Sequence, residues 1–152
     1  MIQRVQSIYL FLVFIVAVVL VFFPLATFNM GESIFQMNIM GFAGIELLDL
    51  DLPNVMAIGI LTALMGVIAL FTIFQFKNRK LQLKLIMINM LINFGLLASI
   101  FYFADSIGTQ LELKAEYDIA AYFPVASVLL LILANRNVRA DEKLIRQSER
   151  LR

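Results

Sequence analysis

A chain of 152 residues that is 62% apolar, carries only 15% charged residues and has a mean hydropathy of +0.92 is far outside the soluble range. Its formal charge of +1 hides the fact that the charges are sorted along the chain. With no Cys and no His it has no disulfide, iron–sulfur or thiol chemistry, and it lacks the usual ligand of haem, zinc or copper and the commonest proton shuttle.

Crossing a hydrocarbon core of about 30 Å takes about 20 apolar residues in a helix. Four runs meet that length or approach it, near 8–28, 55–76, 85–104 and 117–134. Little remains for a soluble domain, so residues 1–152 read as a single integral membrane domain: an all-α antiparallel bundle of four transmembrane helices. The first run follows Arg4, as a signal peptide would. It is too long for a signal core, and Phe23-Pro24-Leu25-Ala26-Thr27-Phe28 offers no small-x-small cleavage site, so it is expected to stay as an anchor. Pro24 near the outer end of this span and Pro124 inside the fourth predict kinked or irregular turns.

In the connection after the first span, Phe35-Gln36-Met37-Asn38-Ile39 and Leu48-Asp49-Leu50-Asp51-Leu52 alternate apolar and polar residues at the period of a half-buried strand. Gly41-Phe42-Ala43-Gly44 between them supplies turn residues. Asp49 and Asp51 would share one strand face; two carboxylates there suit solubility better than a metal site. Pro53 precedes the second span, where a proline is tolerated near a helix start. Gly59, Ala63 and Gly66 in the second span, with Gly95 and Ser99 in the third, predict close packing of those two helices, with homodimerisation as the alternative. The turn Lys77-Asn78-Arg79-Lys80 is short enough to force a helical hairpin.

The third span holds the most polar core residues, Asn89 and Asn93, four apart and so on one face. They are candidates for an interhelical polar contact or, less simply, for a solute site. No Asp, Glu, Lys or Arg sits mid-span, which argues against a proton-coupled or ion-coupled carrier. After it, Leu111-Glu112-Leu113-Lys114 again alternates like a strand. The fourth span is short, and Tyr117, Tyr122 and Arg136 would extend its reach.

Eleven of the twelve basic residues fall at the two ends of the chain and in the turn after the second span; only Lys114 does not. Eight of the eleven acidic residues fall in the other two connections or, for Asp118, at the edge of one. Basic residues beside short loops favour the cytoplasm, which places both termini inside. In the tail, 135–152, Arg139, Lys143, Arg146 and Arg150 lie within an arc of about 60° at 100° per residue, a basic stripe on a helix. The plain reading is a solvated extension that sets topology. The functional reading is a contact with an acidic protein partner or anionic lipid head groups, with nucleic acid the poorer fit.

The opening Met1-Ile2-Gln3-Arg4-Val5-Gln6-Ser7-Ile8-Tyr9-Leu10, the turn Phe76-Lys77-Asn78-Arg79-Lys80-Leu81-Gln82 and the tail from Ala134-Asn135-Arg136 through Asp141-Glu142-Lys143-Leu144-Ile145-Arg146 to Arg150-Leu151-Arg152 resemble a Bacteroidota family of small four-span proteins, domain of unknown function 4293. The resemblance covers the whole chain and is most specific in the tail. It implies a bacterial inner membrane and brings no activity, cofactor or catalytic residue. The expectation is a non-enzymatic structural or accessory subunit, without metal or cofactor, that docks a membrane-protein partner or a second copy through its tail. The alternative is a carrier or channel for a neutral or lipid-like solute using Asn89 and Asn93.

Overall fold

A computed structural model describes residues 3–30, 33–44 and 53–150. Helices α1 (Gln3–Phe22), α2 (Met56–Phe74), α3 (Arg79–Gln110) and α4 (Phe123–Arg150) form an antiparallel bundle. Each packs on the next, and α4 closes against α1. All four are long and apolar enough to cross a membrane.

Two layers of apolar side chains explain the arrangement. The inner layer (Leu10, Val13, Leu20, Met65, Ile86, Leu96, Leu131) is sealed from solvent. The outer layer is equally apolar but exposed: Phe11 and Phe22 on α1, Ile60 and Phe71 on α2, Leu91 and Phe94 on α3, Leu129 on α4. A water-soluble bundle carries polar residues on that outer face, whereas hydrocarbon tolerates large residues on both.

One end of the bundle is closed by a four-stranded antiparallel sheet of β1 (Ala26–Met30), β2 (Ser33–Asn38), β3 (Gly41–Ala43) and β4 (Ala115–Tyr117), in the order β3-β2-β1-β4. Register pairs Phe28 with Phe35 and Ala26 with both Met37 and Tyr117. Alternation puts Ala26, Phe28, Phe35 and Met37 on the buried face. The Phe28 and Phe35 rings stack with centroids 4.8 Å apart. Leu25 donates from its amide to Met37 O at 2.8 Å, and Asp118 N to Leu25 O at 3.1 Å, extending the ladders past the strands. The sheet and the helix ends share one core.

Several expectations need correction. The first apolar run is not helical to Phe28: Pro24 follows the helix end, and residues 26–30 pair as β1 because hydrogen bonds to β2 and β4 outweigh continued helix. Residues 41–43, read as turn, form β3, and the reversal falls at Ile39–Met40. Leu111 to Lys114 is a turn at the end of α3, with strand beginning only at Ala115. There the amide of Leu113 donates to Gly108 O at 2.8 Å, while Glu112 takes a left-handed conformation at φ 55°. The fourth span begins after Tyr117, with a 3-10 turn at Ile119–Tyr122 that places Pro124 in the first turn of α4, where its missing N–H costs nothing. The strand expected at Leu48–Leu52, with Asp49 and Asp51, lies outside the described residues.

The glycines of α2 serve other partners than α3. A Cβ on Gly66 would meet Ala17 Cβ of α1 at 3.1 Å, and one on Gly59 would meet Ile39 O of the sheet at 2.9 Å. Around Gly95 a Cβ would meet nothing within 4 Å. The small residues therefore draw α2 onto α1 and under the sheet.

Candidate functional site

Polar chemistry is concentrated at three levels of the bundle. The middle level holds Asn89 and Asn93, both fully buried. Asn89 donates through Nδ2 to Met65 O on α2 at 3.1 Å. Asn93 donates through Nδ2 to Asn89 O at 2.9 Å and lies 3.2 Å from Asn89 Oδ1. Ser127 of α4 donates to Asn93 Oδ1, with Pro124 O 2.9 Å and Met65 Sδ 3.8 Å from the same hydroxyl. One side-chain chain thus joins α2, α3 and α4. A buried polar group without a partner is costly in an apolar medium, and here the two amides and the hydroxyl have partners within the protein. Ser127 was missed in the sequence because a lone Ser in an apolar run gives no spacing signal; only its height opposite Asn93 gives it a role.

Elsewhere along α2, two further hydroxyls are satisfied locally. Thr62 donates to Ile58 O at 2.8 Å and Thr72 to Ile68 O at 2.6 Å, each back along its own helix.

At the sheet end, a surface pocket of about 470 Å³ lies between the end of α3 and β4, lined in part by Asp105, Thr109, Glu112, Lys114 and Tyr117. Burial, then the neighbouring Asp105 and Tyr122, push the Tyr117 phenol above its ordinary range, because each disfavours the phenolate. The Phe101 ring stands edge-on to Tyr117 at 5.0 Å and to Tyr122 at 6.4 Å. Nearby, Thr27 donates to Asp118 Oδ2 at 2.7 Å, pinning β1 to the segment that leads into α4. Among the described residues no group of three His, Cys, Asp or Glu could hold a metal ion.

The basic end is built differently. Asn78 caps α3 by accepting from Leu81 N at 3.2 Å, so the Lys77-Asn78-Arg79-Lys80 turn is a defined helix start. Lys77 Nζ lies 6.0 Å above the Phe76 ring. Gln82, fully buried, donates through Nε2 to Thr72 O at 3.3 Å and ties the two arms of the hairpin. Gln82 Oε1, Gln6 Oε1 and one Arg79 Nη are buried without a partner among the described residues.

Helix α4 runs unbroken from the core through this end to Arg150. Val138 and Asp141 face inward and are buried, so the root of the tail packs on the bundle. Arg139 and Lys143 are exposed on another side, and Arg139 Nε donates to Asn135 Oδ1 at 3.0 Å. Positions 146 and 150 continue that line by helical phase; their side chains lie outside the described residues.

Over residues 2–151 the chain matches the family described as Domain of unknown function (DUF4293), and it belongs to that family. No curated protein matches it.

Proposed function

We propose that this is a non-enzymatic four-span protein of the bacterial inner membrane, with both termini in the cytoplasm, acting as a small accessory subunit that docks a partner through the basic face of α4. The exposed apolar belts of all four helices support membrane residence. The sorting of basic residues to the helical hairpin turn and the chain ends supports the sidedness. The observation that carries the docking role is the contrast within α4. Its inner face stays buried down to Asp141, while Arg139 and Lys143 are exposed on a continuous extension of the same helix. A rigid helix presents a charged row at lower ordering cost than a flexible tail does.

The mid-bundle amides favour this over a carrier. Asn89 and Asn93 spend their hydrogen bonds on Met65 O, on each other and on Ser127, and the buried face of the sheet covers one end of the bundle with Phe28, Phe35 and Met37. A photo-crosslinker at position 140, beside the stripe, tests the docking role in cells. A discrete protein adduct is expected, weakened at least tenfold when Arg139, Lys143, Arg146 and Arg150 are changed together to Glu, with topology checked separately. Lipid adducts alone, together with a monomeric particle in native mass measurement, would overturn it.

A further inference from the structure

We infer that the end of the bundle opposite the sheet holds bound water in its interior, bridging Gln6 of α1, Gln82 of α3 and the Arg79 guanidinium, whichever side of the membrane that end faces. Three buried atoms there, Gln6 Oε1, Gln82 Oε1 and one Arg79 Nη, have no hydrogen-bond partner among the described residues. Gln82 is sealed from the surface, and Gln6 is 3% exposed. Each continues an inner row of its helix: Gln6 stands one turn from Leu10 and Gln82 one turn from Ile86, both fully buried. Turning the Gln82 amide over does not rescue it, because Nε2 donates to Thr72 O and the exchanged oxygen would face a carbonyl.

Contacts nearer the middle of the bundle place these groups at nearly one height. Ser127 meets Asn93 across the antiparallel pair α3 and α4. Fourteen residues from each, about 21 Å toward the same end, stand Asp141 and Arg79. On the other side Met65 O meets Asn89 and, one residue on, Gly66 seats Ala17 of α1. Arg79 lies ten residues from Asn89 and Gln6 eleven from Ala17, about 15–17 Å in each case. Gln82 is one turn deeper than Arg79, on a neighbouring line of the same helix.

The mix of groups decides the occupant. Two acceptors lack a donor and one donor lacks an acceptor among the described residues. A buried water makes about three hydrogen bonds and can give two while accepting one. An anion would meet two amide oxygens, and a cation would meet the guanidinium. Asp141, 6% exposed at the height of Arg79, already supplies a carboxylate of opposite charge, so no counter-ion is called for. The middle of the bundle is the dry counterpart. There Asn89, Asn93 and Ser127 bond to one another and to Met65 O, and the fully buried Ile86 separates them from Gln82.

The test uses the full isotope-labelled chain in liposomes, read by water-edited solid-state NMR, which follows magnetisation passing from water to side-chain amides. The Gln6 and Gln82 amides should gain signal about threefold faster than those of Asn89 and Asn93, which are as deeply buried. Gln82→Met, which keeps the volume and removes the acceptor, should delete the Gln82 signal and slow transfer to Gln6 about threefold. Gln6→Met should do the converse, and equal melting shows that the variants fold alike. A Gln82 amide as slow as that of Asn93 in the wild type would overturn the water site, and that comparison stands whether or not the variants fold. Unchanged transfer to Gln6 in Gln82→Met would overturn the bridge, since Gln6 would then draw on solvent at the end of the bundle. Amide resonances that move when sodium and potassium are replaced by N-methylglucamine would overturn it as well, because an ion would then occupy the site.

Discussion

Changing Asn93 and Ser127 to Ala, singly and together, probes the contact that holds α3 to α4 at mid-height. In a bilayer, interhelical side-chain bonds average about 0.6 kcal/mol by double-mutant cycle and reach about 1.7 kcal/mol. Asn93→Ala alone should cost more, about 1–3 kcal/mol, because it also strips Asn89 Oδ1 of its donor in a fully buried site. Ser127→Ala should cost a similar amount, since it strips the buried Asn93 Oδ1 of its donor in turn. The cycle should leave a coupling of about 0.6–1.7 kcal/mol, measured by SDS-driven unfolding in micelles followed by circular dichroism. A coupling within about 0.3–0.5 kcal/mol of zero is what independent sites show, and it would refute a direct Asn93–Ser127 bond. Loss of a transported solute with unchanged stability would instead make this face a path.

The glycine contacts make opposite predictions. Gly66→Leu drives a side chain into Ala17 and Phe14 and should destabilise by about 1–3 kcal/mol, whereas Gly95→Ala enters open space and should be neutral or stabilising by up to about 1 kcal/mol in thermal melts. Asp118→Ala removes the acceptor of Thr27 and should cost about 1–2 kcal/mol, lowering the melting temperature at neutral pH, with Thr27→Val adding little on top. The raised Tyr117 phenol keeps its proton in the folded state after the unfolded chain has lost it. Its stabilising share is therefore full below the unfolded value of 10.0 and falls as pH climbs past it toward the folded value. Absorbance of phenolate near 295 nm should show a late-titrating tyrosine that Tyr117→Phe deletes; an unchanged titration curve in that variant would contradict the assignment.

By itself the sequence determined the helices, because the apolar run lengths of four segments meet or approach the span requirement without reference to anything distant in the chain. The phase of Arg139 and Lys143 on α4 and the shared face of Asn89 and Asn93 were likewise set by 3.6-residue periodicity alone. Tertiary structure decided what those faces meet. Residues 26–28 of an apolar run became strand because β2 and β4, one of them nearly ninety residues away, offer paired edges. Gly59 and Gly66 turned out to seat Ile39 and Ala17, since a missing Cβ says that something approaches closely and cannot say what. The role of Ser127 likewise arises from the relative heights of neighbouring helices, and helix height is fixed by packing between segments rather than by the pattern within any one of them.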